Sequence, residues 1–152
     1  IQKEAMELAK NIHNKNLVIY GEASLDGVLT RFRQQVNENA KMLCWHHVLP
    51  EMNHNELVGW AGGSKEMVVV KLNSSFDFYR TKKRWEICKE VISEKTDAIY
   101  EIEAHGNSKL IHILYLIHLT DWVSCFLADL KNVDPVEVDV ILHLKSELSK
   151  LK

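Results

Sequence analysis

Very little in this chain marks it for a special structural class. Only 2 of its 152 residues are proline and 6 are glycine, which excludes collagen-like, linker-like and low-complexity architectures. Cysteine is scarce and odd in number. Cys44, Cys88 and Cys125 are widely spaced in apolar or helical contexts, so they read as reduced, mostly buried thiols of a cytoplasmic protein rather than a disulfide framework. Neither sign of charge dominates: 19 Lys and Arg against 21 Asp and Glu leave a formal net charge of -2. No general attraction to nucleic acid or to an anionic membrane follows. The N-terminus lacks a signal-peptide layout, and no internal repeat is visible. The longest apolar run, "LIHILYLIHLTDWVSCFLADL", is interrupted by His112, His118 and Asp121. A membrane span rarely tolerates these, so the run predicts a buried central helix.

What is present is an ordinary globular composition, 46% apolar and 26% charged, in a length that suits one domain, residues 1–152. The chain opens at Ile1, without an initiator Met and directly in an amphipathic pattern, so it is expected to be a piece of something longer. Helical spacing over 1–13 is followed by the short apolar run "NLVIYG", the pattern of a buried strand. Ser24 is a candidate N-cap for a helix ending near Lys41. "MLCWHHV", "EMVVVKL" and "DAIYEIEA" are further strands, with an amphipathic helix over 77–95 whose apolar side includes Phe78, Trp85, Ile87 and Cys88. "GWAGGS" (59–64) is expected to be a loop with freedom to move. The last helix is expected to start with Asp134 as N-cap and Pro135 at its first position, its stripe running through Val138, Ile141, Leu142 and Leu148. Strands alternating with helices predict an α/β fold: a three-layer sandwich with a mostly parallel sheet flanked by helices.

Candidate chemistry concentrates in "HHVLPEMNHNE" and "RQQVNENAK". A zinc site fails on spacing, because His47 and His54 are separated by a proline and His46 and His47 point to opposite faces of a strand. A His-based metalloprotein is therefore the weakest of the readings. The turn "GEASLDG" carries Glu22 and Asp26, carboxylates that suit a helix N-terminus themselves and repel phosphate. "RTKKR" (80–84) is the better cationic stretch, though a solvated helix face explains it as well. No nucleophile elbow is found, and nothing marks any of the cysteines as an activated nucleophile. General acid–base chemistry remains, since it needs a carboxylate and an imidazole at one substrate. Glu38 between Asn37 and Asn39 departs from helix-end preference in both propensity and dipole. The plain alternative is an i,i+3 ion pair with Lys41. For His54 the plain alternative is a loop histidine bonded within its own turn.

"FRQQVNENAK", "PEMNHNELVGW" and "LADLKNVDPVEVDVILHLKSEL" resemble, in order, three blocks of the C-terminal half of bifunctional phosphoglucose/phosphomannose isomerases, members of the sugar isomerase (SIS) group. The resemblance implies two tandem SIS domains, a homodimer, and interconversion of glucose or mannose 6-phosphate with fructose 6-phosphate, with neither metal nor organic cofactor. It implies that Glu38 is the base moving a proton between C1 and C2 through a cis-enediol. His54, reaching the site from a partner subunit, would assist ring opening. Lys131 would help ring opening or offset charge, although a lysine in the last turn of a helix is favourable through the dipole alone. Ser124 would offer a substrate-binding hydroxyl. The Ser/Thr-rich phosphate loop and a substrate arginine of the family belong to its N-terminal SIS domain and are not found here. A different class of function stays open: a non-catalytic SIS module that senses a sugar phosphate or serves dimerisation.

Overall fold

Among residues 1–151, which the computed structural model describes, helices and strands alternate along the chain. Helix α1 (Gln2–Ile12) precedes strand β1 (Asn16–Glu22), and α2 (Asp26–Ala40) leads into β2 (Cys44–Leu49). The one-turn α3 (Glu56–Gly59) precedes β3 (Met67–Asn73). Next come α4 (Tyr79–Ser93), β4 (Ile99–Glu103), α5 (Lys109–Lys131) and α6 (Asp139–Ser149). The sheet order is β2-β1-β3-β4, and every neighbouring pair is parallel. Parallel neighbours require crossovers, which the helices supply on both faces. The expected three-layer α/β sandwich is the observed one.

The central strands explain the two cores. Successive side chains of a strand point to opposite faces, so Leu17 and Ile19 of β1 join Val68, Val70 and Leu72 of β3 beneath α1, α2 and α5. Val18, Tyr20 and Val69 face the other way, onto Trp60, Trp85, Cys88 and Ile92 of the α4 layer. All of the Val68–Val70 triplet is inaccessible to solvent, each member worth about 1.5–3 kcal/mol of burial. Helix α5 is 23 residues long and apolar enough, by length and composition, to cross a membrane. Its inner face nevertheless fills the core through Leu116, Leu119, Val123 and Leu127. The expectation of a buried helix holds for that face only, since Leu110 and Leu114 on the outer side are exposed.

Local details depart from expectation at four places. Ser24 is not an N-cap: Glu22 accepts the Ser24 N–H at 2.8 Å, a 3-10 turn covers Ala23–Leu25, and α2 starts at Asp26. Asp134 caps only a turn, accepting the Val136 N–H at 2.9 Å, and α6 starts five residues later. Glu137 captures the Asp139 N–H at 2.5 Å; such local side-chain bonds compete with helix, and β-branched Val136 and Val138 weaken it further. The segment 59–64 is pinned, because Trp60 is buried and donates its Nε1–H to the Tyr20 hydroxyl at 2.9 Å. On α4, Thr81, Trp85, Cys88 and Ile92 form the buried stripe, while Phe78 and Ile87 are exposed. Phe78 lies just before the helix with extended backbone, which turns its side chain off that face.

Candidate active site

Helices α2 and α5 each follow a strand and return past the sheet, so both end at the amino edge of the strands. Glu38 stands in the last turn of α2. Its helix is seated by Phe32, Val36 and Ala40, all fully buried, and this spacing leaves Glu38 on the outward side. The two flanking asparagines each do a structural task. Asn39 donates through Nδ2 to Gln35 Oε1 at 3.1 Å and to the Ser124 hydroxyl at 2.8 Å. Asn37, with its amide turned to donate, reaches the Arg33 carbonyl at 3.2 Å and the Met42 carbonyl at 2.9 Å. One thus ties the helix end to α5 and the other to the segment that leads into β2. These bonds offset the poor helix propensity of asparagine and hold the carboxylate between them on a fixed frame.

The Glu38 carboxylate takes part in no ion pair or hydrogen bond among the described residues. Lys41 bonds instead to the Glu38 backbone carbonyl at 2.8 Å, so the i,i+3 ion pair does not form. Glu38 lines a cavity of about 360 Å³ together with Asn37, Lys41, Met42, Glu137 and Ile141. A free carboxylate in a cavity with apolar walls is what proton abstraction from carbon requires.

His54 lies elsewhere. Beyond β2, a 3-10 turn (Glu51–Asn53) is anchored by Met52, which is fully buried, and by Asn53, which donates to Cys88 Sγ at 2.8 Å. The imidazole of His54 points outward, its side chain 70% exposed, with Nδ1 3.2 Å from Glu51 Oε2. That contact is the one a plain loop histidine would make within its own turn. What fixes the loop is Glu56, which sequence reasoning passed over. Its carboxylate accepts from the Tyr20 hydroxyl, from Trp45 Nε1 at 3.3 Å, and meets His47 Nδ1 at 2.7 Å. Burial, with the bond and charge of Glu56 adding, holds the Tyr20 phenol well above its ordinary range, so it stays a donor. His46 turns to the opposite face, toward Thr30 and Asp26, and both histidines are half-buried.

Lys131 is the last residue of α5, half-buried, before Asn132 in the left-handed conformation. Ser124 is fully buried, its hydroxyl donated to the Asp121 carbonyl at 2.7 Å. Within this chain it reaches Asn39, beside Glu38, and presents no surface to a ligand. Glu38, Ser124 and Lys131 therefore lie toward one end of the sheet. His54 lies beyond the other. The six residues of β2 separate the end of α2 from the His54 loop, roughly 20 Å at the rise of a parallel strand. Neither of the clefts that Glu38 lines includes His54. Arg80 and Arg84 line a separate cleft with Glu22 at the carboxyl ends of the strands. No three His, Cys, Asp or Glu side chains gather as metal ligands among the described residues.

Comparison with known proteins shows the family of the chain. Residues 1–148 match the family described as bacterial phospho-glucose isomerase C-terminal SIS domain. A bifunctional phosphoglucose/phosphomannose isomerase of Aquifex aeolicus is 35% identical over 152 residues, covering 99% of this chain and 48% of that protein. One from Caldicellulosiruptor bescii is 34% identical, covering 97% of this chain and 45% of its own length. The chain thus spans about half the length of the curated relatives it matches. Among solved structures, a glucose-6-phosphate isomerase like protein from Thermus thermophilus aligns with TM-score 0.69 and 25% identity, over 93% of this chain and 46% of that one. A hypothetical protein of the same organism aligns with TM-score 0.79 at 14% identity, over 97% and 44%, a likeness of fold alone.

Proposed function

Since the chain belongs to the bacterial phosphoglucose isomerase C-terminal SIS-domain family, we propose that it forms half of an aldose–ketose isomerase. The reaction interconverts glucose or mannose 6-phosphate with fructose 6-phosphate by acid–base catalysis through a cis-enediol. Glu38 takes the proton from C2 of the open-chain aldose and returns it to C1, while the hydroxyl proton moves between the two oxygens. Ring opening needs a proton carried between the ring and anomeric oxygens, and an imidazole, whose ring nitrogens both give and accept protons, suits His54 for that step. Lys131, at the same end of the sheet as Glu38, offsets charge developing on the enediolate. Ser124 acts through Asn39, holding the frame of the base. The phosphate is held by the N-terminal SIS domain of the longer protein.

One observation carries the reading: an unpartnered carboxylate in a cavity, at the opposite end of the sheet from the histidine. A single copy cannot bring the two to one sugar. A homodimer that sets the His54 loop of one subunit against the α2 end of the other can, which supports a composite site. The exposed apolar side chains of α6 and of the outer face of α5 are the surface that such an assembly, with the N-terminal domain, would cover. In the full-length protein, Glu38→Gln is expected to lower kcat by about 1,000-fold or more while fructose 6-phosphate still binds with near wild-type affinity by calorimetry. Turnover near the wild-type rate in that variant refutes the role of Glu38.

A further inference from the structure

Lys41 is in an unusual place. Among the described residues, three other than glycine have positive φ: Asn14, Asn132 and Lys41. Asparagine tolerates the left-handed region because its short amide bonds locally, and helix ends ordinarily use glycine or asparagine there. A lysine gains nothing from that backbone conformation (φ 50, ψ 41). Strain of this sort persists where the side chain does something that glycine could not.

The side chain does reach a place that glycine could not. Its ammonium donates to the Glu38 carbonyl at 2.8 Å and to the Glu137 carbonyl at 2.6 Å, with the Glu137 carboxylate 3.9 Å away. The first bond satisfies one of the carbonyls left open at the end of α2. The second grips the segment that leads into α6. Within this chain, little else holds the start of helix α6, because none of its residues is buried. Val138, Val140 and Ile141 nevertheless form one wall of the cavity that Glu38 lines. Without the ammonium, that wall has little packing to hold it, since Val140 and Ile141 are exposed, and weakly packed elements open locally.

We propose that Lys41 is a positioning residue, a latch that ties the start of α6 to the last turn of α2 and so gives the Glu38 cleft its wall and Glu38 its fixed carbonyl frame. The inference rests on the reading of Glu38 as the base, but the latch has a readout of its own. The test is made in the full-length protein with Lys41→Gly, which removes the ammonium and relieves the backbone, and Lys41→Arg, which can still donate to both carbonyls. For Lys41→Gly the melting temperature is expected to be unchanged or higher. Amide exchange over 139–149 should quicken by about tenfold or more. kcat should fall on the order of 100-fold, the scale of a misplaced catalytic group, while KM moves less than about threefold. Lys41→Arg should keep slow exchange and most of kcat. Unchanged exchange over 139–149 in Lys41→Gly overturns the latch, as does kcat within about twofold of wild type. A lower melting temperature alongside the loss of kcat would make Lys41 a residue of general stability and would equally sink the proposal. Full turnover by Glu38→Gln, in contrast, defeats the base assignment and leaves the exchange result standing.

Discussion

At the scale of single residues, the unusual choices near Glu38 have separate physical causes. Asn37 and Asn39 look wrong for a helix end until their bonds to Met42, Arg33 and Ser124 are seen. Each exchanges helix propensity for a tie beyond the helix, Asn39 to α5 and Asn37 to the segment before β2. His46 shows the same exchange in its titration. Burial, with the positive charge of Arg33 adding, holds it below its ordinary 6.5, although Asp26 pulls the other way. The folded protein therefore binds this proton less readily than the unfolded chain. By linkage, its contribution to stability is intact above pH 6.5 and is lost as the pH falls below that value. In His46→Gln, which keeps a hydrogen-bonding group for Thr30, urea denaturation at pH 7 and pH 5 should show a smaller loss of stability on acidification than in wild type. An equal loss in both proteins would mean that His46 is not the titrating group.

At the scale of elements, periodicity foretold strands and long helices well, and their ends less well. Helix starts went astray where acidic side chains closed turns of their own, at Glu22 for α2 and at Asp134 and Glu137 for α6. A carboxylate two residues before an N–H has the same composition whether it caps a helix or a turn, so the sequence does not separate the cases. The join between β4 and α5 is stricter. Gly106 has φ +138, and a Cβ there would meet Ile111 Cγ2 at 2.3 Å. Its carbonyl lies 3.2 Å from His112 Nε2, and His112 Nδ1 is 2.8 Å from the Ser74 hydroxyl. Gly106→Ala should therefore cost about 1–3 kcal/mol of unfolding free energy, measured by chemical denaturation. A change within a few tenths would show that the join can relax.

At the scale of the whole molecule, the site is a question of copies. If Glu38 and His54 serve one sugar only across a subunit boundary, homodimers of Glu38→Gln and of His54→Ala should each be nearly inactive. Mixing, unfolding and refolding them together should restore roughly a quarter of wild-type turnover. Random pairing makes half the dimers mixed, and each mixed dimer carries one intact site. No recovery on mixing would place both groups in one subunit's site, against the separation along β2. The apolar outer faces of α5 and α6 make the same point through packing. The sequence marks them as core-like, yet this chain by itself leaves them uncovered.

By itself the sequence determined the layers, because alternation in the strands and 3.6-residue spacing in the helices depend only on which neighbours are apolar. It also drew attention to Glu38, whose polar neighbours depart from helix-end preference, and to the polar loop that holds His54, while the roles proposed for both come from the family resemblance. Only the tertiary structure decided that these two lie at opposite ends of a parallel sheet, that Ser124 is a buried strut, and that Glu56 and Lys41 hold the loops beside them. Each of those facts depends on contacts between residues far apart in the chain, such as Asn39 with Ser124 and Lys41 with Glu137. Local pattern carries no record of such contacts, because they form only when crossover connections bring distant helix ends together.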